Sequence, residues 1–207
     1  MPTIKPGGRG MILAGALLAL LASPTLAHEQ HNHETRPSFG DYESSQVGVS
    51  VPDVTLINQQ GQKIKLQHLL ADQRPVVLQF IFTSCQTVCP ILTKMTVQSQ
   101  QELRDIDNAT RIISISIDPE HDTPARLRKY ASQQGINGDW QFLTGSAENI
   151  YATISGFGAN YEGKNKMNHK PYTFLRNKDG QWTLVRGLLS AEQLIEEYRL
   201  VIRAQHG

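Results

Sequence analysis

The chain has 207 residues and a formal net charge of +1, which suits one domain of ordinary size with extra segments at an end. A charge so close to balance supplies no basic field of the kind that draws nucleic acid. The composition is neither low-complexity nor strongly charged, which excludes a fibrous or wholly disordered chain.

Residues 1–27 read as a leader. Lys5 and Arg9 make a positive start, an apolar run covers Met11 to Ala22, and Ser23-Pro24 breaks it before Thr25-Leu26-Ala27. That order is the pattern of a secretory signal peptide with a small-x-small cleavage site. The apolar run is about 12 residues, whereas spanning a bilayer takes roughly 20. Cleavage is therefore expected over retention as an anchor, giving an exported protein, periplasmic or otherwise extracytoplasmic, that is soluble once cut. No cysteine follows the run to carry a lipid.

Residues 28–50 read as a polar flexible tether, because apolar residues are sparse until Val47. His28, His31 and His33 form a short tract of the kind that captures metal; a plain tether is the preferred reading. The domain is expected over residues 51–207. Val54 to Ile57 and Lys63 to Leu66 predict a hairpin around Asn58-Gln59-Gln60-Gly61. Val76 to Phe82 is a nearly continuous apolar run, as in a strand covered on both faces. A helix follows to Leu103, starting near Val88 or Cys89, since Pro90 fits only a first turn. Arg111 to Ile117 predicts a second buried strand. Thr123 caps the next helix, with Pro124 at its first position. A short strand at Trp140–Leu143 and a helix from Ser146 to Ile154 come next. Tyr172–Arg176 and Trp182–Arg186 form a hairpin closed by Asp179-Gly180. The last helix starts at Ser190, with Leu194, Tyr198 and Leu200 on its apolar side. A hairpin, then βαβα, then ββα is an α/β plan: a thioredoxin-like fold with an N-terminal β-hairpin extension.

Cys85 and Cys89 are the only cysteines. A disulfide between them closes a five-residue ring, which removes little entropy from the unfolded chain. Redox chemistry or metal binding explains the pair better than a structural staple. Both fall where a buried strand turns into a helix, at a strand's carboxyl end, where α/β sheets place their sites. A helix N-terminus favours thiolate, which is both nucleophile and ligand for a soft ion.

Three blocks extend this reading. They are Phe82-Thr83-Ser84-Cys85-Gln86-Thr87-Val88-Cys89-Pro90, Ile115-Ser116-Ile117-Asp118-Pro119-Glu120-His121-Asp122-Thr123-Pro124, and Trp140-Gln141-Phe142-Leu143-Thr144-Gly145. Together with Asn168-His169 downstream, they make the chain resemble the Sco/SenC family of copper-binding proteins. That family has a thioredoxin-like fold and assists assembly of the copper site of cytochrome c oxidase. The resemblance implies copper, as Cu(I) or Cu(II), on Cys85, Cys89 and His169. Thiolates select Cu(I), and imidazole suits either state. The resemblance also implies a copper-accepting partner such as a cytochrome c oxidase subunit.

The chain departs from the family at Gln86, where proline is common, and at Asn168, where aspartate is common. The loss of that aspartate removes a group able to orient the imidazole. The stretch Gly156 to Met167 is also short for the family. Pro171, just before a strand, matches redox-active thioredoxins. Two functions therefore stand side by side. One is a metallochaperone, a binding module that transfers metal and need not turn over substrate. The other is a thiol–disulfide oxidoreductase, with Cys85 and Cys89 catalytic and a thioredoxin-like reductant as partner. A thiol peroxidase ranks below both. His121 is read as part of its turn, Asp118, Pro119, Asp122 and Thr123 as shaping that turn, Met95 as core, and Met167 as at most an auxiliary thioether.

Overall fold

A computed structural model describes residues 40–136, 138–163 and 165–204. The expected leader, most of the expected tether and its histidines lie outside the described residues. The strands are β1 (Glu43–Val47), β2 (Thr55–Asn58), β3 (Lys63–Lys65), β4 (Val76–Ile81), β5 (Arg111–Ser116), β6 (Gln141–Thr144), β7 (Tyr172–Arg176) and β8 (Trp182–Arg186). The helices are α1 (Leu66–Leu69), α2 (Val88–Ile106), α3 (Pro124–Gln133), α4 (Ala147–Gly156) and α5 (Ala191–Arg203).

All eight strands form one sheet, in the order β1-β8-β7-β4-β5-β6-β2-β3. The β4–β5 and β5–β6 pairs are parallel and the flanking pairs antiparallel. Every residue of β4 is buried, so the strand is covered on both faces, as its unbroken apolar run requires. Its one polar member, Gln79, donates to Thr96 of α2 at 2.8 Å and to Thr173 of β7 at 3.2 Å. Helices α2 and α5 pack together, α3 lies on β6 and α4 on β2. Thr123, Ser146 and Ser190 each cap a helix by accepting a backbone N–H three residues on. At Ser190 a full capping box forms with Gln193.

The structure corrects three expectations. The tether does not run to residue 50: Glu43–Val47 is strand β1, paired antiparallel with β8 from Glu43↔Arg186 to Val47↔Trp182. An edge strand with solvent on its outer side needs no apolar pattern, and β1 satisfies backbone groups that β8 would otherwise leave open. The next residues are tied down as well. Ser50 donates to the Gly156 carbonyl at 2.9 Å, and a Cβ on Gly156 would sit 2.2 Å from the Ser50 oxygen. Leu66 is not the end of a strand but the first residue of α1, fully buried. Leu200 is 49% exposed, and Val201 takes its place beside Leu194 and Tyr198 in the core. Positions 194, 198 and 201 follow the i, i+4, i+7 stripe; position 200 falls off it.

Candidate metal and thiol site

Three elements meet at one end of the sheet. Strand β4 runs out through Phe82 into the cysteine turn, and β5, parallel to it, runs out into the turn 117–122. Strand β7 is antiparallel to β4, so its beginning, and His169 just before it, lie at that same end.

The cysteines come together as expected. Both are free and buried. The Cys85 N–H donates to the Phe82 carbonyl at 3.1 Å, which tightens the turn. Helix α2 starts at Val88 with no side-chain cap from Thr87. The Cys85 sulfur takes that place, accepting the Cys89 N–H at 3.4 Å, so a thiol satisfies one of the open donors of the helix end. Sequence reasoning expects this location to favour thiolate, and the structure divides the pair. Burial pushes the Cys85 thiol up, but the backbone N–H groups of Cys89 and Thr87 outweigh it and the thiol ionises more readily than a free one. Burial dominates at Cys89, which is pushed up to about 12, with the neighbouring Cys85 and Asp122 adding to the rise. Cys85 is thus the more readily ionised of the two sulfurs.

His169 is half-buried, with its ring set edge-on to Phe80 of β4, Tyr161 and Tyr172 at centroid distances of 6.3–6.4 Å. Burial lowers its pKa to about 4, so the imidazole is neutral, as a metal ligand must be. Its Nε2 is shielded from solvent and has no hydrogen-bond partner. A buried polar atom left open is costly, and an imidazole nitrogen in that state fits a metal. Among the described residues, however, no three His, Cys, Asp or Glu side chains are gathered into a ready metal cage. The fold joins the two sulfurs and brings His169 to the same end, resting on the strand that carries them, without closing the three into one cluster.

The loop bearing His169 has its own ties. Lys166, in a single 3-10 turn (Lys166–Asn168), pairs with the Asp118 carboxylate and lies 5.5 Å from the Phe82 ring centroid. It thus crosses the end of β4 to reach the turn after β5. Asn168 donates to the Glu162 carbonyl at 3.0 Å and serves the loop. His121 is a loop residue as expected, its Nδ1 lying 2.9 Å from Asp118. Met167 is 58% exposed, and Met95 is half-buried rather than core. Lys166 and Asp122 are the residues that sequence reasoning underrates. Asp122 was legible only as a turn-former, yet it is fully buried and accepts from the Thr83 N–H at 2.9 Å and from the Thr83 and Ser116 hydroxyls.

The family model described as SCO1/SenC matches residues 44–203. The chain belongs to the SCO1/SenC family. It is 33% identical to the SCO1 protein homolog of Bacillus subtilis over 137 residues, 63% of this chain and 70% of that protein. Among solved structures it resembles BsSco, described as a member of the Sco family of cytochrome c oxidase assembly proteins. The TM-score there is 0.62 and the identity 27%, over 76% of this chain and 95% of that one. It also shares its fold with ScoI of Arabidopsis thaliana, solved with copper bound, at a TM-score of 0.64 and 19% identity over 75% and 99% of the two chains. The thioredoxin-like α/β architecture of Sco proteins is thereby this chain's fold. Among the described residues no helix is long and apolar enough to cross a membrane.

Proposed function

We propose that this Sco-family protein is an exported copper chaperone, cut free of a signal peptide, that binds one copper through Cys85, Cys89 and His169. It passes the metal to a copper-accepting protein such as a subunit of cytochrome c oxidase. The observation that carries the reading is the His169 Nε2: buried, neutral and unpartnered, at the end of the sheet where the two thiols sit. Two thiolates and an imidazole are a donor set suited to copper. On loading, Cys85 and Cys89 each lose a proton to solvent, and the site has to draw His169 and the sulfurs together. Family membership, and the role of BsSco in oxidase assembly, favour this cargo over other soft ions.

The test is an anaerobic Cu(I) titration of the reduced protein. About one equivalent should bind, and His169→Ala should weaken binding by roughly 100-fold, since even outer partners of a ligand cost 10–100-fold. Unchanged affinity in that variant removes His169 from the site.

One observation favours a second reading, a thiol–disulfide reductase: the split between a readily ionised Cys85 and a protonated Cys89. In that reaction the Cys85 thiolate attacks a target disulfide and releases one target thiolate. Cys89 then gives up its proton, displaces the second target sulfur and leaves a Cys85–Cys89 disulfide for a thioredoxin-like reductant to reopen. A dithiol potential far outside roughly −120 to −270 mV, the span of known exchange proteins, counts against it.

A further inference from the structure

Asp122 has no part in the ligand set, yet it is the least ordinary group at this end of the fold. Its carboxylate is fully buried, and all the donors it meets are neutral: the Thr83 N–H, the Thr83 hydroxyl and the Ser116 hydroxyl. Among the described residues no lysine, arginine or histidine pairs with it. Buried charges are ordinarily paired, so this one calls for a role. Thr83 lies two residues before Cys85, and Ser116 ends β5. The carboxyl group therefore ties the cysteine turn to the neighbouring strand.

We propose that Asp122 is a positioning residue that holds the cysteine turn in place and, by its uncompensated charge, biases the copper site toward Cu(II) over Cu(I). The inference rests on the copper reading above. The charge count carries it. Two thiols and a neutral imidazole have no net charge. Replacing the two thiol protons by Cu(II) leaves the site neutral, whereas replacing them by Cu(I) leaves it at −1. A fixed negative charge nearby disfavours the second state relative to the first, as one carboxylate disfavours ionisation of another. The bias acts on binding equilibria, and no electron transfer is part of it.

Asp122→Asn keeps size and an acceptor for Thr83 and removes the charge. The midpoint potential of bound copper is measured by equilibrium titration in wild type and variant. The Cu(I)-to-Cu(II) affinity ratio should rise on the order of tenfold in the variant, which reads as about +59 mV for one electron. An unmoved potential in a folded variant overturns the charge bias. The positioning role is read without metal, from exchange of the Cys85 amide, which is bonded to Phe82. That exchange should quicken at least about tenfold in Asp122→Ala and stay near wild type in Asp122→Asn. If Asp122→Ala does not fold, Thr83→Val carries this arm: it removes one donor and leaves the charge, so exchange should quicken while the potential holds. Unchanged exchange overturns the positioning role. Wild-type protein that takes up no copper sinks the copper reading at the first titration, and the bias with it. Amide exchange still decides the positioning role.

Discussion

The two halves of the candidate site are built to different standards. The cysteine turn grows out of a strand whose six residues are all buried, and a buried carboxylate laces it to the next strand. The histidine sits at the end of a loop, 157–171, most of whose described residues are exposed. That loop is held by the Lys166–Asp118 pair, by Lys166 over Phe82 and by Asn168 on the Glu162 carbonyl. Regions with few buried contacts open at low free-energy cost, whereas core strands open only with the whole domain. If the protein carries copper as proposed, the preset sulfur pair would receive the ion, and the imidazole on its less buried loop would close on it and later let go.

The largest effect that would break this comparison belongs to the rigid half. Cys85→Ser should abolish measurable Cu(I) binding in a chelator competition, because it removes one of two thiolates and the more easily ionised one. Retained binding would place the metal elsewhere. Next comes the latch on the loop. Lys166→Ala should weaken copper about tenfold by freeing His169, and cost about 1–3 kcal/mol of stability, because the buried Asp118 carboxylate loses its lysine partner. Amide exchange should quicken across the loop and not at Cys85. Equal quickening at both would show that the halves are one unit.

A smaller effect sharpens the same latch through pH. Burial raises the Asp118 carboxyl, but the hydrogen bonds and charges of Lys166 and His121 outweigh it, so in the folded protein it lies below the usual carboxylate range. A depressed carboxyl stabilises the fold fully above its unfolded pKa of about 3.9, and that share is lost as pH falls through the folded value. Wild type minus Asp118→Asn, compared by denaturant melts, should show a difference that is present at about pH 5 and shrinks below about 4. A difference that persists to the lowest pH where the fold survives would rule out the ion pair as its source. The smallest effect is at Met167. It is exposed beside the histidine, and Met167→Ala should leave copper affinity within about twofold if the thioether is no ligand.

Sequence reasoning performs unevenly over this chain, for physical reasons. Elements with a buried face were legible almost to the residue: Tyr172–Arg176 and Trp182–Arg186 match the expected hairpin strands, and Thr123, Ser146 and Ser190 cap where expected. Strand β1 was not, because Glu-Ser-Ser-Gln on a sheet edge has no alternation to read. Asp118 and Asp122 were legible as turn-formers only. Their reach to Lys166 and to Thr83 spans 48 and 39 residues, and no local pattern encodes a contact between loops so far apart.

For the cysteine pair, the amino-acid sequence alone determined the four-residue spacing, the strand-to-helix setting and, through Pro90, the start of the helix. It also determined the family, because the motif blocks recur in order. Only the tertiary structure decided that the two sulfurs are unequal, since a pKa depends on which donors and how much burial each one meets. Only it decided that His169 reaches the thiols' end of the sheet with an open nitrogen, because that follows from an antiparallel pairing between strands almost a hundred residues apart.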